Sequence, residues 1–163
     1  MDQETLKLAA QVLDAARSKG LKIATAESCT GGLIAGALTE VAGSSDVVDR
    51  GFVTYSNAAK QQMLGVTARS LTEFGAVSEA TAKEMAYGAL ANSRADIAVS
   101  VTGIAGPGGG TETKPVGTVW FGCAEQGLTP TVDHMVFADC NRTEVRSKTV
   151  KHALGMILKA LDA

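Results

Sequence analysis

The stretch LKIATAESCTGGLIAGALTEVA, residues 21–42, limits the fold more than any other part of the chain. LKIATA has the apolar character of a buried strand, and GGLIAGALTEVA has the spacing of a helix. Only the four residues ESCT separate the two. A strand that turns this tightly into a helix is a joint of α/β proteins, because the helix can lie back across the sheet and bury its apolar face.

The flanking segments extend that pattern. Leu6, Leu8, Ala9, Val12, Leu13 and Ala16 recur at helical spacing, with Gly20 where a C-terminal cap belongs. GFVTYS reads as a strand, AAKQQMLGV after Asn57 as a short helix, GAVSEATAKEMAYGALANSRA as a longer helix with Ser78 as its N-cap, and DIAVSVTG as a strand. GIAGPGGGTETKPVG, residues 103–117, is a long loop, since glycine, proline and polar residues displace all periodicity there. GTVWFGCA and TVDHMVFA, joined by EQGLTP, predict an antiparallel pair, and Asn141 with Glu144 forms a capping box ahead of a final helix. Helices alternate with strands and then strands follow one another. The expectation is a single domain over residues 1–163, a three-layer α/β/α fold with a mixed β-sheet. Ligands of such sheets gather beyond the C-terminal ends of strands, so loops 26–32 and 103–115 are the expected pocket walls.

Composition narrows the classes of function. Aromatic residues make up 4% of the chain against 18 glycines, so the layers are expected to pack through small side chains. A net charge of −2 provides no basic field to gather nucleic acid or an anionic membrane. Cys29, Cys123 and Cys140 lack CxxC spacing and clustered histidines, which predicts reduced thiols, no metal site and a cytoplasmic protein. The amphipathic start MDQETLKLAAQVLDAARSKG lacks a signal-peptide core, and no apolar run approaches membrane-spanning length. Alanine-rich helices and an exposed strand edge are compatible with a homo-oligomer.

Three clusters carry chemical potential. ESCTGG, between strand and helix, offers backbone N–H groups suited to an anion, and it matches neither GxxxxGK[ST] nor GxGxxG. Ser28 there is equally suited to local capping, and Cys29 to a buried small side chain. GSSDVVDRGFVTYSNAAK brings Ser44, Ser45, Tyr55, Ser56 and Lys60 together, a set in which a lysine of lowered pKa is able to deprotonate a serine. Taken alone, Ser44 or Ser45 is more often a helix N-cap, Tyr55 a strand residue with its tip in water and Lys60 a solvated helix residue. SVTGIAGPGGG places Thr102 and Gly103 before a loop whose backbone can approach a ligand closely, and Arg142 opens the last helix with a fork suited to phosphate. Glu27 and Asp46 suit a sugar hydroxyl, a cation or plain solvation.

The ordered segments TAESCTGG, GSS, RGFVTYSNAAK, LGV, GAVSEATAKEMA, SVTGIAGPGGG and KPVGTVWFG resemble the CinA C-terminal domain family over about residues 5–160. The resemblance implies a stand-alone nicotinamide-nucleotide amidase that converts nicotinamide mononucleotide to nicotinate mononucleotide and ammonia in pyridine nucleotide recycling. It also implies no cofactor or metal, and no N-terminal domain of the molybdopterin-binding type. Carried over by position, it puts the serine nucleophile on Ser45, the base on Lys60 and an assisting phenol on Tyr55. Ser28, Thr30, Gly31, Thr102, Gly103 and Arg142 fall on the substrate site. Two other readings compete: a regulatory module that binds a nucleotide or sugar phosphate without hydrolysis, and a thiol enzyme using Cys29.

Overall fold

The protein, described over residues 1–163 by a computed structural model, alternates helix and strand through its first half. In chain order the elements are α1 (Gln3–Ser18), β1 (Ile23–Glu27), α2 (Leu33–Glu40), a 3-10 turn (Ser44–Asp46), β2 (Val48–Val53), α3 (Asn57–Leu64), α4 (Ala68–Glu73), α5 (Glu79–Ala91), β3 (Ile97–Gly103), β4 (Thr118–Glu125), β5 (Thr131–Val136) and α6 (Arg142–Asp162). The five strands form one sheet in the order β2-β1-β3-β4-β5. β1 runs parallel to both β2 and β3, while β4 and β5 are antiparallel additions. The sheet is therefore mixed, with helices on both faces.

The two faces are packed differently. Against α1, α2 and α6 lies a core of 23 buried residues that includes Ile23, Val99, Val101, Phe121, Leu154 and Ile157. The opposite core, against α3, α4 and α5, has 11 buried residues and is mostly alanine. There the sheet presents Ala24, Ala26, Ala98 and Ala124 to Ala86 and Ala89 of α5, so the helix settles close to the strands. Gly122 shows how close: a Cβ there would sit 2.5 Å from the Ala82 carbonyl oxygen. Gly88 is tighter, with an added Cβ 1.9 Å from the Leu64 carbonyl oxygen, and this contact seats the end of α3 on α5. The small-residue packing expected from composition is thus concentrated on one face.

Local signals explain most boundaries. Lys19 caps α1, and Gly20 follows it at φ 67°. Ser78 accepts the Thr81 N–H to start α5, and Asn141 with Glu144 closes a full capping box at α6. α2 and β5 are shorter than the expected segments 31–42 and 131–138, and β2 and α4 depart further from expectation. β2 covers Val48–Val53 rather than 51–56: the Thr54 N–H still donates to the Glu27 carbonyl at 2.8 Å, but the chain then turns to Ser56, which caps α3 by accepting the Ala59 N–H. α4 was not foreseen: it has no buried residue, hence no apolar period, and is started by the Thr67 cap. No helix is long and apolar enough to cross a membrane.

Candidate active site

The chain leaves β1 toward one side of the sheet to make β2, then returns across it to make β3. The C-terminal ends of β1 and β3, where these directions diverge, frame a crevice. It has a volume of about 290 Å³ and is lined by Ser28, Tyr55, Lys60, Thr102, Gly106 and Arg142 among others. Both loops expected as pocket walls contribute to it.

Ser28 is the first residue beyond β1, and its N–H donates to the Val101 carbonyl, 3.1 Å away on β3. Lys60 comes from the first turn of α3 and lies 1% exposed, among the largest buried side chains of the protein. Its Nζ is 2.9 Å from Ser28 Oγ and 2.7 Å from the Thr54 carbonyl oxygen. It forms no salt bridge with a carboxylate, and burial pushes its pKa down from 10.5 to about 8. The Thr54 carbonyl can only accept, so it takes one amine N–H and orients the group. In the neutral amine the lone pair is then left for the Ser28 hydroxyl. This is a serine–lysine pair built from groups 32 residues apart.

Around the pair, Arg142 donates to the Gly106 carbonyl (2.8 Å) and to the Tyr55 hydroxyl (3.0 Å), tying the glycine loop, the phenol and the start of α6 together. Tyr55 is 62% exposed and forms the outer lip. Thr102 lines the crevice, yet its hydroxyl donates to the Ala76 carbonyl at 2.8 Å and so braces the segment before α5. Gly103 lines the crevice beside it. Thr30 and Gly31 lie behind this wall: the Thr30 hydroxyl donates to Glu27, and Gly31, at φ 60°, carries the turn.

Ser45 is not brought to this site. β1 and β2 are parallel, with Ile23 beside Val48 and Glu27 beside Val53, so a residue before β2 belongs to the other end of the sheet. The length of β2 alone places Ser45 roughly 16 Å or more from the residues that follow the strand. Ser45 is solvent-exposed on the 3-10 turn, whose Asp46 pairs with Arg17 at 2.8 Å. Sequence proximity of GSS to YSNAAK hides this separation. The reading of Glu27 and Asp46 as sugar or cation ligands is likewise replaced: Glu27 is wholly buried and caps α2, and Asp46 serves the pair with Arg17. No group of three or more His, Cys, Asp or Glu side chains is arranged to hold a metal ion.

Cys29 borders the crevice, but burial pushes its thiol up to about 11, away from the reactive thiolate. Neither histidine is near. His152 pairs with Asp133 at 2.7 Å and His134 stacks on Trp120 with centroids 4.3 Å apart. Arg146, which the motif pattern did not mark, donates to the Cys29 and Thr30 carbonyls at 3.0 and 3.2 Å. Its spacing of four residues from Arg142, one helical turn, is the only hint the sequence held.

The family model of the CinA C-terminal domain matches residues 5–161. The nicotinamide-nucleotide amidohydrolase PncC of Shigella flexneri is 49% identical over 156 residues, 94% of this chain and 92% of that protein. A putative competence-damage inducible protein of Caldicellulosiruptor bescii is 52% identical over 143 residues, 88% of this chain but 34% of that longer protein. Among solved structures, the competence/damage inducible protein CihA from Agrobacterium tumefaciens superposes with a TM-score of 0.96 at 54% identity, covering 100% of this chain and 98% of that one.

Proposed function

The chain belongs to the CinA C-terminal domain family, and from that premise we propose that it is a nicotinamide-nucleotide amidohydrolase in which Ser28 is the nucleophile and Lys60 the base. The substrate would be nicotinamide mononucleotide, the products nicotinate mononucleotide and ammonia. One observation carries the assignment of roles: the buried Lys60 amine, without a carboxylate partner, lies 2.9 Å from Ser28 Oγ. The PncC relative supports the substrate class by its name, and this geometry supports the chemistry.

The steps follow from the groups present. Neutral Lys60 takes the Ser28 hydroxyl proton as Oγ attacks the carboxamide carbon, and negative charge develops on the amide oxygen. The N–H group of Cys29, the residue after the nucleophile and itself at the crevice, donates to no backbone acceptor and is the donor available to that oxyanion. Lys60, now charged, returns the proton to the departing nitrogen, which leaves as ammonia, and the acyl group stays on Ser28 as an ester. Neutral Lys60 then deprotonates a water that attacks this ester, releasing the carboxylate and restoring the hydroxyl. Arg142, at the crevice rim, is the fork for the substrate phosphate, and that remote contact positions the carboxamide over Ser28. Tyr55, held by Arg142, closes the same rim.

The test is ammonia release from nicotinamide mononucleotide by the purified chain, with nicotinate mononucleotide identified by NMR. Release that disappears in Ser28→Ala supports the proposal. No release despite tight nucleotide binding would replace it with a binding module.

A further inference from the structure

The turn that carries Ser28 is gripped from two sides by residues that do not touch the crevice. Glu27, the last residue of β1, is wholly buried. Its carboxylate accepts the Thr30 hydroxyl at 2.6 Å and the N–H groups of Ile34 and Ala35 at 2.9 and 3.0 Å. Gly32, the N-cap of α2, has no side chain to satisfy those amides, so Glu27 caps the helix from the strand. On the other side Arg146 of α6 donates through Nε to the Cys29 carbonyl at 3.0 Å and through a terminal nitrogen to the Thr30 carbonyl at 3.2 Å.

These contacts decide where the turn's amides face. In a planar trans peptide the carbonyl and the following N–H point in opposite directions. Drawing the Cys29 carbonyl toward Arg146 therefore turns the Thr30 N–H away from α6, and that amide has no acceptor in the chain. The Thr30 carbonyl, held likewise, turns the Gly31 N–H back to the Ser28 carbonyl, 3.0 Å away. Ser28 sits between this clamped turn and its anchor on β3, so its Oγ keeps its place against Lys60 only while the turn keeps its shape.

We propose that Glu27 and Arg146 are positioning residues for the hydrolysis, which fix the Ser28–Thr30 turn so that the Ser28 hydroxyl, the Lys60 base and the Cys29 amide act together. The proposal rests on the serine–lysine reading above. It assigns them an effect on the reacting geometry rather than on substrate capture. A shift of about 1 Å in a reacting group costs on the order of 100-fold in rate, so losing either grip is expected to slow the chemistry and spare binding.

The experiment uses the full chain and the variants Arg146→Lys, Arg146→Ala and Glu27→Gln, each checked for folding by circular dichroism and thermal melting. Two rates are read: turnover of nicotinamide mononucleotide, and labelling of Ser28 by a fluorophosphonate, in which Oγ bonds to phosphorus and fluoride leaves, located by mass spectrometry. The expected result is kcat and labelling down ~10–100-fold, KM within about twofold, the same alkaline rise of activity, and partial recovery of Arg146→Ala by millimolar guanidinium. Arg146 is only half-buried, so its variants decide the matter even where Glu27→Gln does not fold. Folded Arg146 variants that turn over and label at the unaltered rate would overturn the proposal, as would losses that fall wholly on KM. Failure of the unaltered chain to label at Ser28, with Ser28→Ala still active, would instead remove the serine–lysine reading and this proposal with it.

Discussion

Lys60 Nζ approaches Ser28 Oγ to 2.9 Å inside a protein that gives this lysine no acidic partner. A buried amine left in that state is destabilised as a cation, and the same desolvation makes it a base near neutral pH.

Replacing Ser28 by alanine removes the proposed nucleophile and is expected to lower kcat by on the order of 1,000-fold or more. Ser45→Ala, a change on an exposed turn at the opposite end of the sheet, is expected to keep activity within about twofold, because surface changes away from special features have small effects. Steady-state ammonia release from both variants decides between the two serines, and loss in Ser45→Ala alone would reverse the assignment.

The base must be neutral to take the serine proton. With the Lys60 amine lowered to about 8, kcat/KM is expected to rise with pH, reach half its plateau near pH 8 and level off above it. A pH profile that stays flat from 6 to 9 would rule out Lys60 as the titrating base.

The same lysine costs stability. Its folded-state pKa lies below its unfolded value of 10.5, so the unfolded chain binds more protons between about 8 and 10.5, and stability rises with pH across that window. The penalty is fully present below pH 8. Lys60→Met is therefore expected to stabilise the fold by ~1–3 kcal/mol at pH 7 while abolishing turnover, and the gain is expected to fade toward pH 10.5. Denaturant titrations at pH 7 and pH 10 measure it, and equal gains at both would contradict the linkage.

Cys29→Ala is expected to leave turnover within a few fold, since a thiol raised to about 11 holds little thiolate near neutral pH. Loss of activity in a variant that melts normally would revive the thiol mechanism.

Gly88→Ala would drive a methyl group into the Leu64 carbonyl, 1.9 Å from the ideal Cβ, and neither backbone can yield without separating α3 from α5. A destabilisation of ~3 kcal/mol is expected, together with lost activity, because α3 carries Lys60. Thermal melting and the amidase assay on the same preparation test both parts.

Much of the fold could be read along the chain because its signals are local. Ser78, Asn141 with Glu144, and Gly20 satisfy or terminate backbone hydrogen bonds within a few residues of themselves, so they mark helix ends before any tertiary contact exists. α4 lacked such legibility because it buries nothing and so has no apolar period. The site was legible in part of its membership and not in its pairings: Ser28, Tyr55, Lys60, Thr102, Gly103 and Arg142 do meet at one crevice, whereas Thr30 and Gly31 do not line it. Ser45 stands close to Tyr55 and Lys60 in sequence, yet the extended β2 runs between them.

The sequence by itself determined the α/β class, the ends of most elements, the small-residue packing and the group of residues available for chemistry, since these depend on periodicity, caps and side-chain size. Only the tertiary structure decided which serine faces the lysine. Parallel pairing of β1, β2 and β3 gathers the residues that follow their C-terminal ends and sends those that precede them to the far side. Burial then sets the Lys60 amine, and the turn after Ser28 is held by Glu27 and by Arg146, through contacts between residues 3 to 117 apart in the chain. Hydrogen bonds and desolvation act through space, so their partners are fixed by the order of strands and not by the order of residues.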